Sequence, residues 1–96
     1  SSFRLIKKIK DDRFDEENLQ QYQLLLNFGI RDFQILIIGE DQRVIQVEDY
    51  VLPEVASQEE LFNTLTSIFE AHEVLGAGFW KKVTASFKTQ KFVQVP

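Results

Sequence analysis

The sequence predicts a mixed α/β domain in which one helix packs on a sheet. Three apolar runs within residues 21–52, separated by short turns, predict an antiparallel three-strand meander. An amphipathic helix over residues 58–73 follows, and two more strand-like runs come after it. Because a helix between two strands carries the chain across the sheet, the next strand is expected to run parallel to a meander strand.

Length and composition are those of a folded domain. At 96 residues the chain has the size of one domain, and 44% hydrophobic with 27% charged residues excludes a disordered or collagen-like chain. There is no cysteine, which excludes disulfides and thiolate metal sites. No apolar run has the length of a membrane helix and no signal-peptide pattern opens the sequence, so we expect a cytoplasmic protein without a membrane partner.

Two features of the sequence predict that it is part of a longer protein. Methionine is absent, and the last residues form an apolar, strand-like run. We therefore expect residues 1–96 to be a single domain, the amino-terminal subdomain of a longer chain.

Residues 1–20 are expected to form an amino-terminal arm and a short helical turn. The segment 3–10 matches neither pattern cleanly, and an extended arm is favoured over a helix. Asp15 is a good N-cap for the helical turn. The apolar side chains on either side of that turn are expected to hold it against the core; they are Phe14 and Leu19.

The three meander strands differ in their patterns. Residues 21–28 alternate strictly between two faces, whereas 33–38 are apolar on both faces, as in a central strand covered on both sides. Turns beginning at Gly29 and Gly39 connect the strands. The third strand, 43–52, ends before a proline and has apolar residues on one face: Ile45, Val47 and Val51.

The predicted helix begins with a capping box formed by Ser57 and Glu60. Gly76 and Gly78 are expected to end it. Its apolar stripe consists of Leu61, Phe62, Leu65, Ile68, Phe69 and His72.

Strands at 83–87 and 91–95 follow the helix, with a turn between them. Counting strands from residue 21 onward, the expected sheet order is 3-2-1-4(-5), with the fourth strand parallel to the first.

Charge is segregated along the sequence. The eight basic residues within 1–10 and 74–96 have no acidic neighbours there, while all fifteen acids lie within 11–73. One interpretation is a basic face for nucleic acid; the other is a mixed surface made by the ends lying beside the acidic middle. The net charge of −4 favours the mixed surface, so we expect no nucleic-acid partner.

No motif in the sequence carries catalytic chemistry. The single histidine, His72, lies in the apolar helix stripe and is interpreted as structural. Acidic pairs such as Glu48-Asp49 are interpreted as solvated rims and turns, since neighbouring strand residues point to opposite faces. We expect no catalytic residue, no metal and no cofactor.

Several segments resemble the amino-terminal half of a bacterial family of unknown function, the one numbered 3822, over residues 3–96. That family resembles the actin-like ATPase fold, of the ribonuclease-H-like type. The matching segments are Phe14-Asp15, Tyr22-x-Leu24-x-Leu26, Val47-Glu48-Asp49-Tyr50, Ala77-Gly78-Phe79-Trp80-Lys81-Lys82-Val83 and Gln90-Lys91-Phe92-x-x-Val95-Pro96.

The resemblance implies where a phosphate site would lie, at the hairpin after the first meander strand. Asn27 and Gly29 are the candidate cofactor-binding residues there, as remnants of a degenerate phosphate hairpin. Actin-like ATPases carry an aspartate two residues before the glycine, and Asn27 supplies no charge for Mg²⁺.

Two functions remain open. The first is a non-catalytic actin-like scaffold or partner-binding module, and the second is a nucleotide-binding ATPase or kinase whose other site residues lie in a missing carboxy-terminal half. The expected partner is another protein or that missing half. Self-association is also expected, through an apolar patch formed by Phe79, Trp80, Phe92 and Val95, although burial of Phe79 and Trp80 in the core is favoured over exposure.

Overall fold

The structure, a computed structural model, describes residues 3–88. It confirms a mixed α/β fold with one sheet and one α-helix. The elements in chain order are β1 (Arg4–Lys10), a 3₁₀ helix (Glu16–Gln21), β2 (Gln23–Phe28), β3 (Asp32–Ile38), β4 (Val44–Val51), α1 (Gln58–Ala71) and β5 (Lys82–Phe87).

The five strands form one sheet in the order β1-β4-β3-β2-β5. β2, β3 and β4 are the predicted antiparallel meander, and β5 pairs with β2 in parallel after the α1 crossover. The sheet order differs from the predicted one because an additional strand, β1, lies beside β4. The four strands predicted within residues 21–87 have the expected neighbours. The predicted strand at 91–95 lies outside the described residues.

β1 corrects the prediction of an arm. The segment is extended as expected, but it pairs antiparallel with β4 from Arg4↔Val51 to Lys10↔Gln46, with an irregularity between Leu5 and Lys7. All seven residues of β1 are exposed. Backbone hydrogen bonds to β4 therefore place this strand, and an edge strand of this kind leaves little periodic burial for a sequence pattern to reveal.

The 3₁₀ helix forms where the sequence predicted a helical turn. Asp15 caps it, with Oδ1 accepting a hydrogen bond of 2.9 Å from the Glu17 amide. Leu19 is buried, and the ring of Phe14 lies 5.7 Å from that of Tyr22. The helix is thus held against the end of the sheet by the predicted apolar residues.

The core lies between α1 and one face of the sheet. Phe33, Ile35 and Ile37 of the central strand β3 are fully buried there, beneath Ile68 of α1. On the opposite face, Leu36 and Ile38 are half-buried. Within residues 3–88, α1 covers one face of the sheet, whereas the sequence predicted a central strand covered on both.

α1 begins as predicted and ends earlier. The Ser57 hydroxyl accepts from the Glu60 amide at 3.1 Å, and the helix stops at Ala71, with His72 already extended. The predicted ending at Gly76 and Gly78 is wrong, because the His72 ring accepts hydrogen bonds from the backbone that follows and turns the chain there. No glycine in the described chain has a positive φ angle.

Two aromatic predictions are wrong as well. Phe62, placed in the apolar stripe by its spacing, is 69% exposed, and Phe79, expected in the core, is 70% exposed. Trp80 is half-buried against the core. Both exposed rings lie on surfaces that no described residue covers, which spacing alone does not reveal. Within the described chain, no helix has the length and apolar character to cross a membrane.

Candidate functional site

The hairpin between β2 and β3 contains both sequence-predicted site residues, and the structure gives each a structural role. The side-chain amide of Asn27 donates a hydrogen bond to Gln34 Oε1 at 3.1 Å. The Gly29 amide donates to the Asp32 carbonyl at 2.8 Å and closes the turn. A Cβ atom at Gly29 would overlap Asp32 Oδ1, so the space beside the glycine holds a carboxylate.

The remaining polar groups of the hairpin do not form an anion cradle either. Gln34 donates onward to Asp49 Oδ1 at 2.8 Å, so the Asn27 side chain belongs to a hydrogen-bonded row across three strands. Arg31 is the basic residue of the turn, and its Nε points to the Leu52 carbonyl at 3.5 Å. A phosphate here would meet the Asp32 carboxylate, which repels it.

A second cluster, which the sequence did not predict, lies beneath α1. Glu48 is only 2% exposed, because residues 46, 48 and 50 of β4 all point toward the helix. Its Oε1 accepts from the Tyr50 hydroxyl at 2.8 Å, and its Oε2 accepts from Gln46 Nε2 and lies 2.9 Å from His72 Nε2. The interpretation of Glu48 as a solvated rim residue is therefore wrong.

This carboxylate is held in its ionised form. Burial alone would raise the pKa of the Glu48 carboxyl, but the hydrogen bonds from His72, Tyr50 and Gln46, and the attraction of the His72 ring when it is protonated, outweigh burial and lower that pKa to about 2. Burial and the adjacent carboxylate raise the pKa of Tyr50 in turn. The cluster thus contains a buried negative charge stabilised by oriented donors.

The hydrogen bonds of His72 define its tautomer. Nδ1 accepts from the amides of Val74 at 3.1 Å and Leu75 at 3.3 Å, and an acceptor nitrogen carries no proton. The proton therefore lies on Nε2, which donates to Glu48. His72 is neutral in this arrangement, and it joins the end of α1 to β4, which agrees with its interpretation as a structural histidine.

The cluster borders a cleft of about 320 Å³ between β1 and the end of α1. Lys8 and Lys10 line it from β1, opposite Glu48 and Gln46 in the strand register. Gln46 Oε1 is buried without a hydrogen-bond partner among the described residues.

The arrangement does not favour acid–base or nucleophilic chemistry. Both ring nitrogens of His72 are engaged, and the low pKa of Glu48 makes it a poor proton carrier near neutral pH. The described residues contain no group of three or more potential metal-ligating side chains. The cluster is suited to connecting elements rather than to catalysis.

A row of aromatic rings crosses the sheet on its α1 face. It runs from Phe3 through Tyr50, Phe33 and Phe28 to Phe87 on β5, and we call it the aromatic ladder. Successive ring centroids lie 6.0, 5.9, 4.7 and 4.6 Å apart. The central rings are covered, but Phe87 is 69% exposed at the edge of the described sheet.

Beside Phe87 lies an apolar groove of about 700 Å³ between α1 and β5, here called the α1–β5 groove. Phe62 and Phe69 line it from the helix, together with the acidic residues Glu70 and Glu73. All six residues of β5 are exposed, and within residues 3–88 no strand pairs with its outer edge.

One pattern could have revealed the buried cluster from the sequence. Gln46, Glu48 and Tyr50 alternate along one face of a strand, and the apolar stripe of the helix contains a histidine. A polar strand face opposite a polar residue in an apolar stripe indicates a buried hydrogen-bonded network. The α1–β5 groove has no comparable signal, since it depends on the distance between α1 and β5.

Comparison with known proteins identifies a family but no activity. A family model described as protein of unknown function (DUF3822) matches residues 11–96. No curated protein and no solved structure matches the chain, so the resemblance to the actin-like fold stays a prediction. The chain belongs to the family of proteins of unknown function DUF3822.

Proposed function

We propose that this domain is a non-catalytic partner-binding module, a scaffold of the kind that the actin-like resemblance implies. Its binding surface is the outer edge of β5 together with the α1–β5 groove, and its occupant is an extended strand of another protein. The observation that carries the proposal is the exposed end of the aromatic ladder, Phe87, at a strand edge that no described residue covers.

The backbone of β5 supports strand addition. Within residues 3–88 no strand pairs with the outer edge of β5, and such an edge presents alternating amide and carbonyl groups that an extended peptide can pair with, as in other recognition by strand addition. The strand predicted at 91–95 would compete with the peptide for this edge. The side chains that β5 directs to the α1 face are Val83, Ala85 and Phe87, which are in register with β2 residues of the core face. A strand added here would extend the core face of the sheet.

The side chains around the edge indicate the chemistry of the occupant. Phe62 and Phe87 are each 69% exposed and lie on opposite sides of the α1–β5 groove. Exposed aromatic residues that surround an apolar groove are typical of interaction sites. An aromatic or aliphatic side chain beside Phe87 would continue the aromatic ladder by one ring.

Charge adds a second requirement. Glu70 and Glu73 line the α1–β5 groove, and neither forms an ion pair with another described residue. A basic side chain next to the apolar ones would therefore be attracted. The favoured occupant is an extended segment with apolar side chains toward α1 and lysine or arginine beside them.

The test uses a fluorescein-labelled peptide in which phenylalanine alternates with threonine between terminal lysines. Fluorescence anisotropy should detect binding, and a version with N-methylated backbone amides should fail because it cannot pair with β5. Phe87→Ser should weaken binding by about tenfold or more, as for a central interface aromatic. Phe79→Ser is the matched control, since Phe79 is equally exposed but does not line the groove.

Charge variants complete the test. Glu70→Gln and Glu73→Gln should each weaken binding by roughly twofold to fivefold, more at low salt, whereas the exposed Glu59→Gln on the first turn of α1 should not. Sedimentation without peptide should show no self-association that depends on Phe87. A dimer that Phe87→Ser dissociates would identify a second copy as the occupant and overturn the proposal, as would equal binding by the Phe87 and Phe79 variants.

The alternative function, a nucleotide-binding ATPase or kinase, gains no support from the hairpin. Asn27 is engaged with Gln34, and the Asp32 carboxylate fills the space beside Gly29. Calorimetry with Mg-ATP separates the two functions.

A further inference from the structure

His72 connects three parts of the molecule through a ring that is 8% exposed. Its Nε2 faces Glu48 on β4, and its Nδ1 accepts from the amides of Val74 and Leu75. The same residue lines the α1–β5 groove on one side and the cleft under β1 on the other. Any change at this ring is therefore transmitted to the turn after α1.

We propose that His72 is a pH-sensitive latch: when the ring gains a proton, it releases the turn at residues 73–75 and weakens partner binding at the α1–β5 groove. Histidine is the side chain whose charge ordinarily changes between about pH 5 and pH 8. The latch itself rests on the His72 contacts, and its effect on binding rests on the proposed function.

The conflict that protonation creates lies at Nδ1. In the neutral ring Nδ1 offers a lone pair to two backbone amides, and in the charged ring it carries a hydrogen that points at both of them. Val74 and Leu75 are buried, so water does not readily replace the lost acceptor. The two amides must then move away from the ring.

The Nε2 side of the ring does not relieve the conflict. Glu48 remains a carboxylate in this pH range, since its neighbours lower its pKa to about 2, and it attracts the charged ring more strongly than the neutral one. The ring is therefore held on β4 while the turn is released.

Other charged groups surround the ring without meeting it directly. Within the described chain, Tyr50 of β4 donates to Glu48, and the cleft and groove beside the ring carry further titratable side chains. They are Lys8 and Lys10 from β1, Glu16 from the 3₁₀ helix, and Glu70 and Glu73 from α1 and the turn. None of them forms a described ion pair with His72, so the ring responds mainly to Glu48 and the two amides.

Release of the turn alters the proposed binding surface directly. Glu73 and Gly76 line the end of the α1–β5 groove, and Val74 and Leu75 hold that segment in the core. When the two amides leave Nδ1, Glu73 loses its fixed position beside the groove. Binding of a basic, apolar strand should then weaken.

Nuclear magnetic resonance can test the latch without any partner, because His72 is the only histidine in the chain. Imidazole nitrogen shifts should show the Nε2–H tautomer at high pH, and loss of hydrogen-exchange protection at Val74 and Leu75 should follow the ring's titration. Protection that stays constant while the ring titrates would overturn the latch.

Two variants test the Nδ1 and Nε2 contacts of the ring separately. In His72→Asn the amide oxygen takes the place of Nδ1 and does not titrate, so the turn should stay protected at both ends of the pH range. In His72→Gln the longer side chain reaches Glu48 but leaves the turn without its acceptor, so protection should be low throughout. Identical pH dependence in the wild type and the Asn variant would contradict the proposal.

Binding of the lysine–phenylalanine peptide supplies the functional readout. Its affinity for the wild type should fall by about fivefold from pH 8 to pH 5, the equivalent of one lost hydrogen bond, and should stay constant in His72→Asn. If the peptide does not bind at any pH, the proposed function fails while the magnetic-resonance result still decides the latch. If it binds equally at both pH values, the link between latch and groove is wrong.

Discussion

Glu48 shows how a charged residue can be buried in so small a domain. A carboxylate without partners would be strongly destabilising at 2% exposure, but here both oxygens accept hydrogen bonds from donors on β4 and at the end of α1. This single side chain therefore couples the helix to the sheet.

Replacing Glu48 by glutamine should destabilise the domain. The new amide would place an NH₂ group against donors from Gln46, Tyr50 and His72, leaving at least one buried donor unpaired. We expect the free energy of unfolding to fall by about 3 kcal/mol, as when a buried pair is broken. Urea denaturation measures this, with the exposed Glu54→Gln as control, and equal midpoints for the two variants would contradict the prediction.

The same residue predicts an acid-dependent loss of stability. The pKa of Glu48 is lower in the folded state, about 2, than its ordinary value of 4.5, so the folded state favours the ionised form. The resulting stability is fully present above pH 4.5 and is lost as the pH falls through that window toward 2. The loss is roughly 3 kcal/mol, and it should be largely absent from Glu48→Gln. Urea midpoints measured across this pH range test it; a wild-type midpoint that stays flat would argue against an ionised Glu48.

Among the elements, α1 separates what periodicity predicts from what packing decides. The spacing of its apolar residues predicts a single buried stripe. In that stripe Ile68 is fully buried and Leu65 is half-buried, whereas Phe62 lies in the open α1–β5 groove. A helix that packs on one face of a sheet buries only the part of its stripe that lies over the strands. The residues at the margin of the stripe remain available for contacts with other molecules.

The effect of a substitution on stability should follow the burial of the side chain that it removes from the stripe. Ile68→Ala should lower the free energy of unfolding by roughly 2–4 kcal/mol because it leaves a cavity over β3, and Leu65→Ala should lower it by less. Phe62→Ala should change stability by less than about 0.5 kcal/mol, as an exposed substitution does. Chemical denaturation of the three variants gives the order directly, and an Ile68→Ala midpoint equal to that of the wild type would place the stripe in solvent.

At the scale of the whole molecule, the hairpin between β2 and β3 predicts the response to nucleotide. We expect no measurable binding of Mg-ATP to this domain, because Asn27 supplies no metal-binding charge and the Asp32 carboxylate repels phosphate. Isothermal calorimetry on the 96-residue chain is the measurement. Micromolar binding that Asn27→Ala abolishes would replace the partner-binding proposal by the ATPase alternative.

Elements with a local pattern of apolar residues could be predicted from the sequence alone. The alternation in residues 23–28 and the apolar stripe of the capped helix at residues 58–71 each carry a periodic signal, and the apolar run of β3 is recognised by its length and the turns that bound it. Asp15 and Ser57 were identifiable as caps because capping is a local interaction. Even the parallel pairing of β5 with β2 followed from the length of the crossover.

The features that the sequence did not predict each depend on contacts with residues elsewhere in the folded chain. β1 lies in the sheet because its backbone pairs with β4. Its side chains are all exposed, so their sequence gives no burial pattern that would predict this pairing. Glu48 is a buried anion because it meets His72, 24 positions further along the chain, beneath the helix. Phe62 and Phe87 line one groove because folding brings α1 and β5 together. A pattern along the sequence indicates which face of an element is buried. Which side chain it contacts across the core is determined only when the chain has folded.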